Sequence, residues 1–400
     1  MFARDLFRPA DFGGNRYPWE VTRRLAERHR VRVITPLLGG PLPGRSSFEL
    51  IHYPVSRRTP FETFFTNALF SRLCVGREIR RRTPDLVVIS SYDVAFGHYA
   101  IRPAPIPTVY IYHSSFYSPA VDRVARKTSP LRLAHRPLAA FLRAVERLTF
   151  RSADAVVAVS PFSRREIVAR AGIASDRVHL IPTGVDTGIF SPGDRTEARH
   201  RLGLPLSGTL LLTVGRLAPV KRYDRAIDAL EIIRRDDPSC RLVILGIGPE
   251  DATLRAHVRG RGLAEAVTFG GFADGDRLRD HYRAADLVLC TSDFENWSLA
   301  LLEALATGTP AVGTPRGGIP DILGPVDPRL VAGGVSPSDI AAAAARLLRD
   351  DDERERIAAL GRQHVVATFS WDRVVRELEE LFERVARVRS SATGAPHSAA

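Results

Sequence analysis

Lysine, methionine and cysteine are all scarce in this chain. Among 57 basic residues only Lys127 and Lys221 are lysines; there is one methionine, and the three cysteines are Cys74, Cys240 and Cys290. The cysteines stand far apart, with no C-x-x-C pair and no histidine cluster. That spacing excludes a zinc frame and a disulfide frame and points to a reducing, cytoplasmic setting. No apolar run approaches the roughly 18–20 residues of a membrane span. The opening MFARDLFRPADFGG lacks an apolar core of signal-peptide length. What is there, 400 residues at 44% hydrophobic content, suffices for two globular domains.

Positive charge is missing from one half. Residues 1–200 hold 31 Lys and Arg against 17 Asp and Glu, a net +14, whereas residues 201–400 hold 26 against 28, a net −2. A one-sided positive field suits an anionic partner: a lipid surface, a phosphorylated substrate or nucleic acid. A general arginine habit explains the arginines but not their crowding.

Residues 1–5 are at best a clipped first strand, as a start codon placed downstream of the true one would leave it. Asp11-Phe-Gly-Gly-Asn-Arg16 then reads as a glycine turn feeding a helix over about 16–29, a weak form of an anion site. Apolar runs at 31–34, 85–90, 108–112 and 154–159 alternate with helical stretches, which means a parallel sheet with right-handed crossovers. A Gly/Pro-rich passage follows, and the linker is placed at 191–206. Strands at 210–214, 241–245, 266–269, 286–291 and 311–312, again separated by helices, form a second series. The fold class is therefore α/β, with Rossmann-like domains at 1–190 and 207–369 and a disordered tail at 390–400.

Residues 291–310, TSDFENWSLALLEALATGTP, organise the second domain. A strand runs into a polar loop and then a helix from about Ser298, which Gly308 and Pro310 end. That helix is apolar on every side and should be buried. Glu303 lies in it, the sole ionisable residue between Asn296 and Pro315. A carboxylate so placed needs donors, from a ligand's hydroxyls or from backbone and water. Glu295 lies in the loop at the strand's carboxyl end, where open α/β sheets bind ligands.

Four other features carry weight. His113 directly follows an apolar strand, as an ordinary polar residue or as a site residue. Residues 121–151 alternate basic and apolar side chains, either for lying on an anionic membrane or for packing on their own domain. Arg216 and Lys221, in GRLAPVKR, stand just after a strand and suit phosphate oxygens. Asp274-Gly-Asp276 precedes a helix, so it reads as a turn and N-cap, and no metal is expected. Gly246-Ile-Gly-Pro249 lacks the third glycine and the acidic partner of a dinucleotide fingerprint, which disfavours a nicotinamide oxidoreductase.

VGRLAPVKRYDRAIDAL, VILGIGPE, RGGIPDI, FSWDRV and the E-x7-E block around Glu295 and Glu303 together resemble the retaining glycosyltransferases of family 4. IPTGVDTGIFSPG, AVVAVSPFSRREI and YHSSF add weaker matches in the first half. The resemblance implies the GT-B fold, two facing Rossmann-like domains with a central cleft, and a C-terminal helix at 371–387 returning to the first domain. It implies transfer of a hexose from a UDP- or GDP-sugar to an acceptor hydroxyl with retained anomeric configuration and no cofactor.

Site roles follow from the same resemblance. Arg216 and Lys221 would bind the diphosphate with Gly14 and the amides near Ser298 and Leu299. Glu295 and His113 would face the donor sugar, Glu303 the ribose, and Asn296 and Trp297 the donor-sugar loop. Gly13, Gly14 and Asn15 would line the acceptor side. Where the family has Gly-Phe-Gly or Phe-Gly after the first glutamate, this chain has Asn-Trp-Ser, which restricts close backbone approach. The acceptor is expected to be a glycolipid, a polysaccharide precursor or a small molecule such as a natural product, anionic or lipid-linked, with peripheral membrane contact through the basic half and no nucleic acid. A binding subunit without turnover is the alternative.

Overall fold

The computed structural model of the protein describes residues 13–36, 48–56, 60–100, 106–113 and 132–393. The chain divides into two compact units: unit 1 is Met1–Pro182 with Val374–Ala400, and unit 2 is Thr183–Arg373.

Unit 1 contains α1 (Gly13–Leu25), β1 (Arg32–Pro36), β2 (Glu49–Tyr53), α2 (Pro60–Arg81), β3 (Val87–Ile89), α3 (Tyr92–Ala100), β4 (Thr108–Tyr112), α4 (Arg132–Ser152), β5 (Ala155–Ala158), α5 (Pro161–Ala171) and β6 (Val178–Leu180). β1 pairs with β2, and β3 to β6 form a second ladder in chain order, all parallel. β3, β4 and β5 are buried end to end, so they read as continuous apolar runs. β2 and β6 have mixed burial and no such run, and the sequence did not mark them. The clipped strand expected at residues 1–5 lies outside the described residues, as does 121–131 of the basic segment.

Unit 2 continues with α6 (Arg195–Leu202), β7 (Leu210–Val214), α7 (Tyr223–Ile233), β8 (Arg241–Leu245), α8 (Asp251–Gly260), β9 (Val267–Gly271), α9 (Gly275–Ala284), β10 (Leu287–Cys290), α10 (Leu299–Thr307), β11 (Ala311–Gly313), α11 (Ile319–Leu323), α12 (Pro337–Leu348) and α13 (Asp351–Phe369). Its parallel sheet has the order β11-β10-β7-β8-β9.

The expected linker is corrected. Residues 191–206 belong to unit 2, and α6 within them is capped by Asp194, whose side chain accepts from the Glu197 amide. Arg199 is buried there: Nη2 pairs with Asp286 at 2.7 Å and Nε donates to the Ala284 carbonyl at 3.0 Å. Asp286 also accepts from the Leu210 amide at 2.7 Å, so the passage is welded to the sheet of unit 2.

The last helix, α14 (Trp371–Thr393), starts in unit 2 and continues in unit 1, where Glu379 meets Arg28 at 2.9 Å and His29 at 2.5 Å. Residues 390–393, expected in the disordered tail, extend this helix; 394–400 lie outside the described residues.

Candidate active site

In unit 2, β7 is the first strand and β10 the fourth, and they are neighbours with the winding reversing between them. The crevice at the carboxyl ends of such a pair is where doubly wound sheets bind ligands. Two loops leave from there: 215–222 after β7, with Arg216 and Lys221, and 291–298 after β10, with Glu295. Glycines let the backbones close up around them. Gly246 has φ +142°, and a Cβ on it would lie 1.8 Å from the Gly215 carbonyl oxygen. Gly317 has φ +58°, and a Cβ there would lie 2.0 Å from the Glu295 carbonyl oxygen. No side chain fits at either place.

Lys221 and Glu295 come together. Lys221 Nζ donates to Glu295 Oε1 at 2.5 Å, and Ser292 Oγ donates to the same oxygen at 2.8 Å. Burial alone would lower the lysine's pKa; Glu295 and its other neighbours outweigh burial and hold it raised, so the ammonium stays charged. Burial pushes the adjacent Cys290 thiol up to about 12, which leaves it unreactive. Arg216 is exposed on the β7 loop.

A brace the sequence did not reveal fixes the two loops to each other. Thr291 Oγ1 donates to the carbonyls of Lys221 and Arg222 at 3.0 and 2.9 Å, and the Asp293 amide donates to the Val220 carbonyl at 2.8 Å. Arg222 is left-handed at φ 50°, and among the described residues no other non-glycine has positive φ. Asp224 at 2.8 Å and Asp293 at 3.2 Å hold its guanidinium, and Arg225 pairs with Asp293 at 2.6 Å. A left-handed non-glycine costs about 1–2 kcal/mol, so its neighbours must impose it. Nothing in the string KRYD signals this.

α10 begins at the end of the β10 loop. Ser298 is its N-cap, and its side chain accepts from the Leu301 amide. The amides of Leu299 and Ala300 lack intrahelical partners by construction and form an anion-binding end. Glu303 is 5% exposed, and a protein side chain supplies one of the donors it needs. Tyr282 Oη, on α9, donates to Glu303 Oε2 at 2.9 Å.

The Trp297 side chain is engaged within the protein. It turns into the body of unit 2, donating from Nε1 to the Thr183 carbonyl at 3.3 Å and meeting Phe369 edge-on at 5.2 Å. Asn296 beside it is buried. Asp274 precedes α9 as expected but makes no side-chain cap, while Asp276 pairs with Arg279 at 2.7 Å.

The remaining candidates lie in unit 1. Gly13, Gly14 and Asn15 open α1. His113 follows β4 with its ring edge-on to Tyr17 at 4.7 Å, and burial lowers its pKa to about 4, so the ring is neutral near pH 7. Among the described residues no helix is long and apolar enough to cross a membrane.

Residues 194–364 match the family model for glycosyl transferases group 1, and 13–188 match that for glycosyltransferase family 4. A D-inositol 3-phosphate glycosyltransferase of Geodermatophilus obscurus is 31% identical over 411 residues, covering 96% of this chain and 87% of that protein. The structure is similar to sucrose-phosphate synthase from Thermosynechococcus elongatus, with a TM-score of 0.81, 21% identity and coverage of 97% and 98% of the two chains. It is also similar to Anabaena HepE solved with UDP-glucose, with a TM-score of 0.72, 18% identity and coverage of 96% and 98%. The chain belongs to glycosyltransferase family 4, has the GT-B fold and is an enzyme of glycosyl transfer.

Proposed function

We propose that the enzyme moves a hexose, with retained anomeric configuration, from a UDP- or GDP-sugar to a hydroxyl of an anionic acceptor. The Lys221–Glu295 pair at the β7/β10 switch point carries this reading. Lys221 and Arg216 receive the diphosphate together with the amides at the start of α10, and they offset the charge that grows on the leaving phosphate. The bond from the anomeric carbon to phosphate breaks as the acceptor oxygen bonds that carbon on the same face, and the acceptor's proton passes to the departing phosphate. Glu295 orients the donor sugar once Lys221 turns to phosphate. Glu303, held by Tyr282, takes the ribose; the family resemblance assigns His113 to the sugar and Gly13, Gly14 and Asn15 to the acceptor. Two cations and a helix end do the work a metal does elsewhere, so the reading needs none.

Relatives and structural neighbours named for inositol 3-phosphate and sucrose phosphate support a phosphorylated polyol or sugar as acceptor, and the +14 half is the complementary field. A lipid-linked acceptor at the cytoplasmic face is the second reading. It draws on Phe65, Leu69 and Leu73, which are 37%, 50% and 57% exposed along one stripe of α2, with Phe141 stacked on Phe65 at 6.4 Å. A turnover-free binding subunit is disfavoured by the intact Lys221–Glu295 pair. A melting screen with UDP-, GDP- and dTDP-sugars tests the donor, since a ligand of the folded state raises its stability by mass action. Nucleotide release with inositol phosphates and sugar phosphates tests the acceptor. Salt-sensitive sedimentation with anionic vesicles, without release on soluble acceptors, would favour the lipid instead.

A further inference from the structure

The chain passes between its two units at two places, Pro182–Thr183 and Arg373–Val374. On the unit 2 side these passages are bound to each other. The Val185 amide donates to the Phe369 carbonyl at 2.8 Å, Val185 bridges in parallel to Ser370, and a Cβ on Gly184 would sit 2.7 Å from the Trp371 ring. Trp297 holds both. Its Nε1 donates to Thr183 and its ring packs on Phe369, while its own backbone lies in the loop between Glu295 and the start of α10.

A tryptophan is a large, stiff connector, with two rotatable side-chain bonds and fixed ends here. Asn296 on one side is buried and Ser298 on the other caps a helix, so the loop has little slack of its own. A shift of this loop on filling therefore moves the indole, and the indole bears on both passages.

We propose that Trp297 is a positioning residue that couples occupancy of the 291–298 loop to the paired passages between the units. The proposal rests on reading that loop as the donor site. Coupling of this kind is reciprocal: donor binding tightens the passages, and loosening the passages weakens donor binding.

Amide hydrogen exchange on the full chain, with and without saturating UDP or GDP, tests it in wild type, W297F and W297L. In the wild type the nucleotide slows exchange at 215–222 and 298–302 and also at 183–187 and 369–372. W297L keeps the first response and loses the second, and its nucleotide Kd rises about tenfold. W297F, which keeps the ring and loses the donated bond, responds less than wild type at the passages. The proposal is overturned if W297L responds there as wild type does, or if wild type responds at 215–222 and not at the passages. If W297L does not fold, W297F decides alone, and a wild-type response at the passages overturns it. If neither nucleotide slows exchange anywhere in the wild type, the donor-site reading fails and the proposal falls with it.

Discussion

The two units differ in how their charge is placed. Both bury polar and aromatic groups, and unit 2 pairs the charges at its site inward: Arg199 on Asp286, Lys221 on Glu295, with Tyr282 on Glu303 and Trp297 on Thr183. Unit 1 sets an apolar stripe on the outside of α2, and the chain's first half carries the basic excess. The difference follows from the tasks proposed for them. Holding a diphosphate and a sugar in register needs side chains fixed by neighbours, whereas gathering an anionic acceptor needs a field, which tolerates imprecise placement.

The sharpest way to break this contrast is Asp286→Ala. It leaves Arg199 buried without its carboxylate and should cost about 3–5 kcal/mol. Exchange rates should rise throughout unit 2 while unit 1 amides keep theirs; equal loss in both units would show that the units do not stand alone. Next comes Lys221→Ala. Turnover should fall about 10²–10³-fold, roughly 2–4 kcal/mol in the barrier, with urea stability near wild type. Lys221→Arg should not restore it, because a planar fork cannot replace a point charge in that space.

Acid should separate the two units. Burial lowers His98 and His281 to about 4, aided by Arg72 and Arg277 respectively, and burial alone lowers His113 to about 4. The unfolded chain takes up these protons first, near pH 6.5, so stability is full above that pH and drains away as pH falls from about 6.5 toward 4. Each ring accounts for about 2–3 kcal/mol at the bottom of that window. Unit 1 holds two of them and unit 2 one, so urea unfolding followed by exchange should show the steeper loss in unit 1. The smallest effect is expected at Arg222. Arg222→Gly should be about 1 kcal/mol more stable than Arg222→Ala in thermal melts, since both lose the exposed pairs but glycine alone relieves the left-handed backbone.

How much of this was legible depends on distance along the chain. β4, β5, β7 and β8 are buried on both faces, so the runs at 108–112, 154–159, 210–214 and 241–245 announced them. α6 was hidden because Gly and Pro on either side looked like a linker, and what makes it part of unit 2 is an arginine meeting Asp286, 87 residues away. Lys221 and Glu295 could be found singly as charges at strand exits. Their 2.5 Å contact could not, because it spans 74 residues. Glu303 was rightly read as a buried charge needing a donor, yet Tyr282, 21 residues upstream, gave no local sign of supplying it. The family resemblance places Trp297 in the donor-sugar loop but says nothing of where its ring packs, because its partner Thr183 lies 114 residues away.

The Lys221–Glu295 pair is the proposed donor site. Nucleotide release from the UDP- or GDP-sugar that raises the melting temperature, compared between wild type and Glu295→Gln, tests it most directly. The variant should fold, still melt higher with the nucleotide, and turn over about a hundredfold more slowly. Turnover at the wild-type rate would contradict it.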